Sequence, residues 1–240
     1  MRYRFSFQTR ADVLPAKYRE LMLSFFKNAL QSYEEGRYFE HFYGSGASKK
    51  YTFAVRFPSQ SKFSGDKIIL NERRFDLFFS TADSAEAILF YNAMLTQKRR
   101  PYKYGPEDEI TLVGIGIETE KVIASSEIIC KAAMPIIARE HNRESNKDRY
   151  YSVGSERFSE VLMRNIRFQL DAAGFDLSCT ESLELEWINP KKTVVRHKDI
   201  LIECTIGTFR LKGAPQVLTY LYEAGISAKK GFGFGYFNIL

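Results

Sequence analysis

The 240-residue sequence predicts an α+β protein made of two modules with the same element order, and three observations carry that prediction. Runs in which apolar and polar side chains alternate, the two-residue period of a half-buried strand, are interrupted by stretches with apolar residues at three-and-four spacing, the period of an amphipathic helix. These runs follow one another as β-α-β-β-α-β up to about Glu118. The same order is then met a second time before the C-terminus.

Met1 to Gln8 places Tyr3, Phe5 and Phe7 on one face and Arg2, Arg4 and Ser6 on the other, so a first strand is expected. Beyond Pro15, which suits a first helical turn, Leu21, Met22, Phe25, Phe26, Ala29 and Leu30 mark a helix that ends before Gly36. The small residues from Gly44 to Ser48 read as a flexible linker. Tyr51 to Phe57, Lys67 to Leu70 and Arg74 to Ser80 read as strands, Ala82 to Leu95 as the second helix, and Glu109 to Ile117 as a strand after the basic loop Lys98 to Tyr104. That order is the ferredoxin-like unit, an antiparallel sheet with both helices on one face.

In the second half, strands are expected around Val122 to Ala133, at Leu183 to Ile188, Thr193 to Arg196 and Ile200 to Phe209, and from Gly233 to Leu240. Helices are expected from Ser155 to Ala173, ended by Gly174, and from Ala214 to Ala224. The polar segment Arg139 to Tyr151 reads as a mobile loop or hairpin tip. The chain is therefore read as two tandem ferredoxin-like domains, residues 1–119 and 120–240. The halves share element order rather than residues.

A net charge of +6 with 15% aromatic residues suits a polyanionic partner whose bases stack on rings. Cys130, Cys179 and Cys204 lack the spacing of a disulfide framework or a zinc site, and no metal or cofactor is expected. No apolar run approaches the length of a membrane span, so a cytoplasmic chain without a membrane partner is expected.

The C-terminal run GAPQVLTYLYEAGISAKKGFGFGYFNIL interleaves Gly225, Gly231, Gly233 and Gly235 with Lys229, Lys230, Phe232 and Phe234. Glycine lets a backbone approach a bulky ligand, and free N–H groups beside two lysines favour phosphate oxygens. The same glycines would also relieve crowding or form a bulge in a last strand. Gly44, Gly46 and Lys49 match a P-loop only in composition, so no mononucleotide site is indicated.

With the preceding GTFRLKGAP, this tail resembles the C-terminal signature of the CRISPR-associated endoribonucleases of the Cas-six family, which process precursor CRISPR RNA within its repeats. The resemblance rests on Gly207, Phe209, Gly213, Pro215, Leu221, Tyr222, Gly225, Ile226, Lys229, Lys230, Gly231, Phe232 and Gly233. It implies two ferredoxin-like domains and repeat RNA held by Gly225, Ser227, Lys229, Lys230, Gly231 and Gly233.

Three histidines are candidates for proton transfer. His141 lies in the polar segment and His197 in the basic turn VVRHKD, where solvent or RNA contact accounts for each. His41 stands in RYFEHFYGSGASKKYTF, beside Tyr38 and Tyr43 and ahead of Lys49 and Lys50. RNA carries its own nucleophile, so cleavage needs a proton moved and negative charge countered; histidine and lysine serve these ends. An ordinary aromatic-cluster histidine is the bland alternative.

The resemblance implies a general acid/base histidine after the first helix and a lysine before the next strand, matched by His41 and by Lys49 or Lys50. Some members of the resembled family also use a tyrosine within the first helix, where this chain has Phe25, Phe26 and Lys27; Tyr33 or Tyr38 would have to serve instead. The expected function is a metal-independent endoribonuclease leaving 2′,3′-cyclic phosphate and 5′-hydroxyl ends. The alternatives are a non-catalytic repeat-RNA-binding subunit of a CRISPR effector complex and, more distantly, an enzyme acting on a small phosphorylated metabolite. Effector-complex subunits and a second copy of the chain are further possible partners.

Overall fold

A computed structural model of the chain describes residues 1–44, 48–176, 178–198 and 200–240. The linker expected from Gly44 to Ser48 therefore falls largely outside the described residues. Two compact units are present: residues 1–44 with 53–119, and residues 48–52 with 120–240.

The first unit contains β1 (Arg2–Thr9), β2 (Val13–Pro15), α1 (Tyr18–Ser32), α2 (Phe39–Tyr43), β3 (Tyr51–Arg56, whose first two residues group with the second unit), β4 (Lys62–Ser64), β5 (Lys67–Ile69), β6 (Arg74–Thr81), α3 (Ser84–Thr96), β7 (Pro101–Lys103) and β8 (Glu109–Ile117). Its main sheet runs in the order β3-β6-β1-β8-β7. Alternation in β1 sends Phe5 and Phe7 into a core with Phe25 and Phe26 of α1, while Arg4 and Gln8 stay exposed. Phe79 of β6 stacks on Phe90 of α3 with ring centroids 3.9 Å apart, which seats that helix on the same face.

Two expectations change here. Pro15 ends the short strand β2 instead of opening a helix, because Val13 to Pro15 pairs with β5. The strand Lys67–Ile69 belongs to a small separate sheet, β2-β5-β4, and not to the ferredoxin-like sheet.

The second unit contains β9 (Glu127–Ala132), β10 (Ala138–Asn142), β11 (Lys147–Tyr151), α4 (Phe158–Asp171), α5 (Ser178–Glu181), β12 (Glu184–His197), β13 (Ile200–Lys212), α6 (Pro215–Ala224) and β14 (Phe237–Ile239). Its sheet runs β12-β13-β9-β14, so both units place their four ferredoxin-like strands in the sequence 2-3-1-4. The core lies between this sheet and α4 and α6, around Phe209, Leu211, Leu162, Ile166, Leu218 and Phe237. The polar segment forms the antiparallel hairpin β10–β11.

The strands expected at Leu183 to Ile188 and Thr193 to Arg196 are one long strand, β12. Its register slips between Trp187 and Asn189, and Pro190 is tolerated because β12 is at the sheet edge, where its missing N–H interrupts no inner ladder. The last strand starts at Phe237 and not at Gly233, because Gly233 and Gly235 have φ of 74° and 76°, outside the range of an extended strand. Among the described residues no helix is long and apolar enough to cross a membrane.

Candidate active site

His41 is presented by the short helix α2. Phe42 anchors that helix: it is 1% exposed and packs against Phe90 with ring centroids 6.1 Å apart, a burial that stabilises by roughly 2–3 kcal/mol. The preceding residue, His41, is left with 54% of its side chain exposed.

A carboxylate meets the ring from α3. Asp83 caps that helix by accepting the N–H groups of Ala85 and Glu86 at 3.0 and 3.1 Å, which fixes the first turn. From that turn Glu86 brings Oε1 to 3.4 Å from His41 Nε2, while the Thr81 hydroxyl donates to its Oε2 at 3.4 Å. A carboxylate beside Nε2 favours the proton on that nitrogen and leaves the Nδ1 lone pair for proton transfer. Glu86 was not singled out from the sequence. The signal is the spacing Asp83-Ser-Ala-Glu86, that of a capping residue followed by a first-turn carboxylate. Its meeting with His41, 45 positions away, is a matter of tertiary packing.

Tyr38 lies just before α2, stacked on Tyr33 with centroids 5.9 Å apart and with the Arg37 guanidinium 5.6 Å from its ring. Phe25 and Phe26 are wholly buried, so that part of α1 offers no phenol. Lys27 of α1 holds its ammonium 5.1 Å from the Tyr43 ring, which places a cation at α2 within the first unit.

Lys49 and Lys50 belong to the second unit, both half-buried. Lys49 packs along the glycine-rich tail: a Cβ added to Gly231 would lie 3.1 Å from Lys49 Cγ. Thr52 ties the same segment down by donating its hydroxyl to Phe234 O at 2.7 Å.

The tail from Gly225 to Gly235 is a packed turn rather than an open loop. The N–H groups of Gly225, Ile226, Ala228, Phe232, Gly233 and Gly235 donate to the carbonyls of Leu221, Gly235, Ile137, Lys229, Lys230 and Pro135. Ser227 is 7% exposed, and its hydroxyl oxygen accepts the Ile137 N–H at 3.0 Å. At Gly225 the φ of 77° and the approach of Thr52, whose Cγ2 would lie 2.6 Å from an added Cβ, exclude any larger residue. The crowding explanation of these glycines thus applies to Gly225 and Gly235, and the backbone donors expected to face a ligand are mostly committed to carbonyls.

The two lysines differ. Lys230 is 4% exposed. Lys229 keeps 17% of its side chain exposed, with Nζ 3.8 Å from Asp148 Oδ2 and 5.8 Å from the Tyr150 ring. Burial and the nearby Arg139 charge push the Lys229 ammonium below its ordinary pKa, against the pull of Asp148.

His197 departs from expectation. It is 5% exposed, with its ring against Phe232 and Phe234 at 4.7 and 6.0 Å, and so supports the tail from within. His141 lies on β10 and contacts Asp148 across the hairpin. The described residues contain no cluster of three or more His, Cys, Asp or Glu side chains able to hold a metal ion.

A family model described as CRISPR associated protein Cas6, C-terminal, matches residues 118–239. A curated Pyrococcus furiosus protein, named only as a CRISPR-associated endoribonuclease-like protein Cas6, is 27% identical over 141 residues, 56% of this chain. The match spans 58% of the length of that relative. Among solved structures, the product of a Cas6-related gene from Pyrococcus furiosus aligns with a TM-score of 0.84 at 19% identity, over 100% of this chain and 98% of that one. A RAMP protein that binds different RNA substrates gives 0.83 at 21% identity, over 100% and 99%. A Cas6 product complex gives 0.72 at 13% identity, over the full length of both chains. At such identities these likenesses establish the tandem ferredoxin-like fold and nothing finer. The family model covers just over half of the chain, including the whole glycine-rich tail, and on that ground the chain belongs to the Cas6 family of CRISPR-associated proteins.

Proposed function

We propose that this chain binds CRISPR repeat RNA and cuts it without a metal ion, by attack of a 2′-hydroxyl on the adjacent phosphorus. The observation that carries the reading is the pair His41–Glu86: a solvent-open imidazole with a carboxylate at one nitrogen, in a member of a family of repeat-processing proteins. His41 serves as general acid or base. Lys27, the cation beside α2 in the same unit, counters the charge on the pentacovalent phosphorus, with Tyr38 as an accessory group.

RNA binding is assigned to the tail, Gly225, Ser227, Lys229, Lys230, Gly231 and Gly233. Its packed backbone shifts the expected contacts toward the Lys229 side chain and the half-buried surface around Gly231. The exposed cations Arg99, Arg100 and Lys103 add a sequence-independent attraction for phosphate.

The reading of a non-catalytic RNA-binding protein has one observation in its favour: Phe25 and Phe26 fill the part of α1 where some of the resembled enzymes place a tyrosine. Labelled repeat RNA incubated with the protein in EDTA separates the two. The catalytic reading expects cleavage to 2′,3′-cyclic phosphate and 5′-hydroxyl ends. Binding without cleavage establishes the non-catalytic reading, and cleavage only after a divalent ion is restored overturns the metal-independent mechanism.

A further inference from the structure

The β10–β11 hairpin sorts its polar residues onto two faces by the two-residue period of its strands. On one face Glu140 accepts from Arg157 at 2.8 and 3.0 Å, from Arg164 at 2.8 Å and from the Tyr151 hydroxyl at 2.8 Å. Asn165 of α4 meanwhile bonds both the N–H and the carbonyl of Arg139 at 2.8 Å. These contacts anchor the hairpin to α4.

The other face gathers around Asp148. Its cross-strand partner His141 brings Nδ1 to 2.9 Å from Oδ1. Tyr150 donates its hydroxyl to Oδ2 at 2.9 Å, Arg139 Nη1 reaches it at 3.3 Å, and Lys229 from the glycine-rich tail completes the set at 3.8 Å. Burial pushes the Asp148 carboxyl up, but the bonds from His141 and Tyr150 and the charges of Arg139 and Lys229 outweigh it and hold the group below its ordinary pKa. An ionised carboxylate accepts only, so Nδ1 carries the proton. In the neutral ring the lone pair then lies on Nε2, which has no hydrogen-bond partner among the described residues and belongs to a side chain 39% exposed. The hairpin is already fastened from its opposite face, so anchoring leaves the composition of this second cluster unexplained.

We propose that His141 and Asp148 form a second acid/base centre whose ligand is an RNA phosphodiester. The proposal rests on the reading that RNA is bound here. In it His141 Nε2 takes the proton of a 2′-hydroxyl, the 2′-oxygen forms a bond to phosphorus, the bond from phosphorus to the 5′-oxygen breaks with its electron pair leaving on that oxygen, and water supplies the proton that makes a 5′-hydroxyl. Arg139 and Lys229 provide the positive field for the phosphoryl oxygens, and Asp148 is a positioning residue that fixes the imidazole tautomer.

The test uses full-length protein, labelled repeat RNA and EDTA, with His41→Ala, His141→Ala and the double variant. The expected result is slow cleavage by His41→Ala that drops at least about 100-fold in the double variant, with RNA affinity retained and activity restored by added imidazole. Restoration by free imidazole is a readout that a purely structural role for His141 would not give. Equal residual cleavage in His41→Ala and the double variant overturns the proposal, as does loss of all cleavage in His41→Ala while His141→Ala cuts like the wild type. Cleavage lost in His141→Ala but kept in His41→Ala supports the second centre and sinks the assignment of His41. A wild-type protein that neither binds nor cuts repeat RNA removes both readings.

Discussion

His41 and His141 are each held by one carboxylate, but at opposite ring nitrogens and with very different support. Glu86 stands 3.4 Å from His41 Nε2 and accepts from the Thr81 hydroxyl at 3.4 Å, whereas Asp148 is 2.9 Å from His141 Nδ1 and is itself gripped by Tyr150, Arg139 and Lys229. The first pair spans two helices, and its geometry depends on how α2 and α3 pack. The second is a direct pair of neighbours on a hairpin, where register alone sets the distance. A nearby glycine-serine stretch and two lysines therefore identify a chemically suggestive neighbourhood, but strand pairing gives the better-held imidazole.

If the first pair performs the main proton transfer, His41→Ala should lower the cleavage rate by about a thousandfold while RNA affinity changes little, measured by single-turnover kinetics beside a binding titration. Unchanged cleavage would transfer the chemistry to the hairpin pair. The second pair depends on the tail that brings Lys229, and Gly225→Ala should cost about 2–3 kcal/mol of stability, seen as a lower melting temperature, because φ of 77° and the Thr52 side chain leave no room for a methyl group. Glu86→Gln should slow cleavage about tenfold with affinity intact, since it removes the charge that sets the His41 tautomer.

A smaller effect separates grip from chemistry. Lys229→Ala should reduce the slope of log affinity against log salt by about one, as expected when one fewer phosphate is neutralised. An unaltered slope would leave Lys229 to the Asp148 cluster alone. The smallest effect concerns the hairpin anchor. Arg164, Arg157 and the Tyr151 hydroxyl hold the Glu140 carboxyl down to about 2 from an ordinary 4.5, so its stabilising contribution is complete above that ordinary value and is lost as the pH falls toward about 2. Glu140→Gln should flatten this acid limb in a pH series of unfolding curves; an unchanged limb would mean that the hairpin is held by other contacts.

Much of the scaffold is legible in the sequence because local period and burial agree. Tyr3, Phe5 and Phe7 alternate into the core as the pattern predicts, and Pro215 and Gly225 bracket α6 as first-turn and terminating residues should. Where competing signals act at one position, the pattern misleads. Pro190 reads as a break, yet an edge strand absorbs it, and the glycines from 233 to 235 read as strand although positive φ makes them a turn.

The candidate site is less legible. His41 and Lys49 stand eight positions apart in sequence yet belong to different units, while the partner of His41 lies on another helix. Lys229 and Lys230 are adjacent and equal in composition, but one is largely covered and the other reaches the hairpin. Only the folded chain tells such neighbours apart.

The most direct measurement replaces the 2′-hydroxyl at the cut site of the repeat RNA with hydrogen. The account predicts that the protein binds this RNA as tightly as the parent and leaves it whole. Cleavage at the deoxy position would contradict attack by the sugar oxygen, and with it the roles given to both imidazoles.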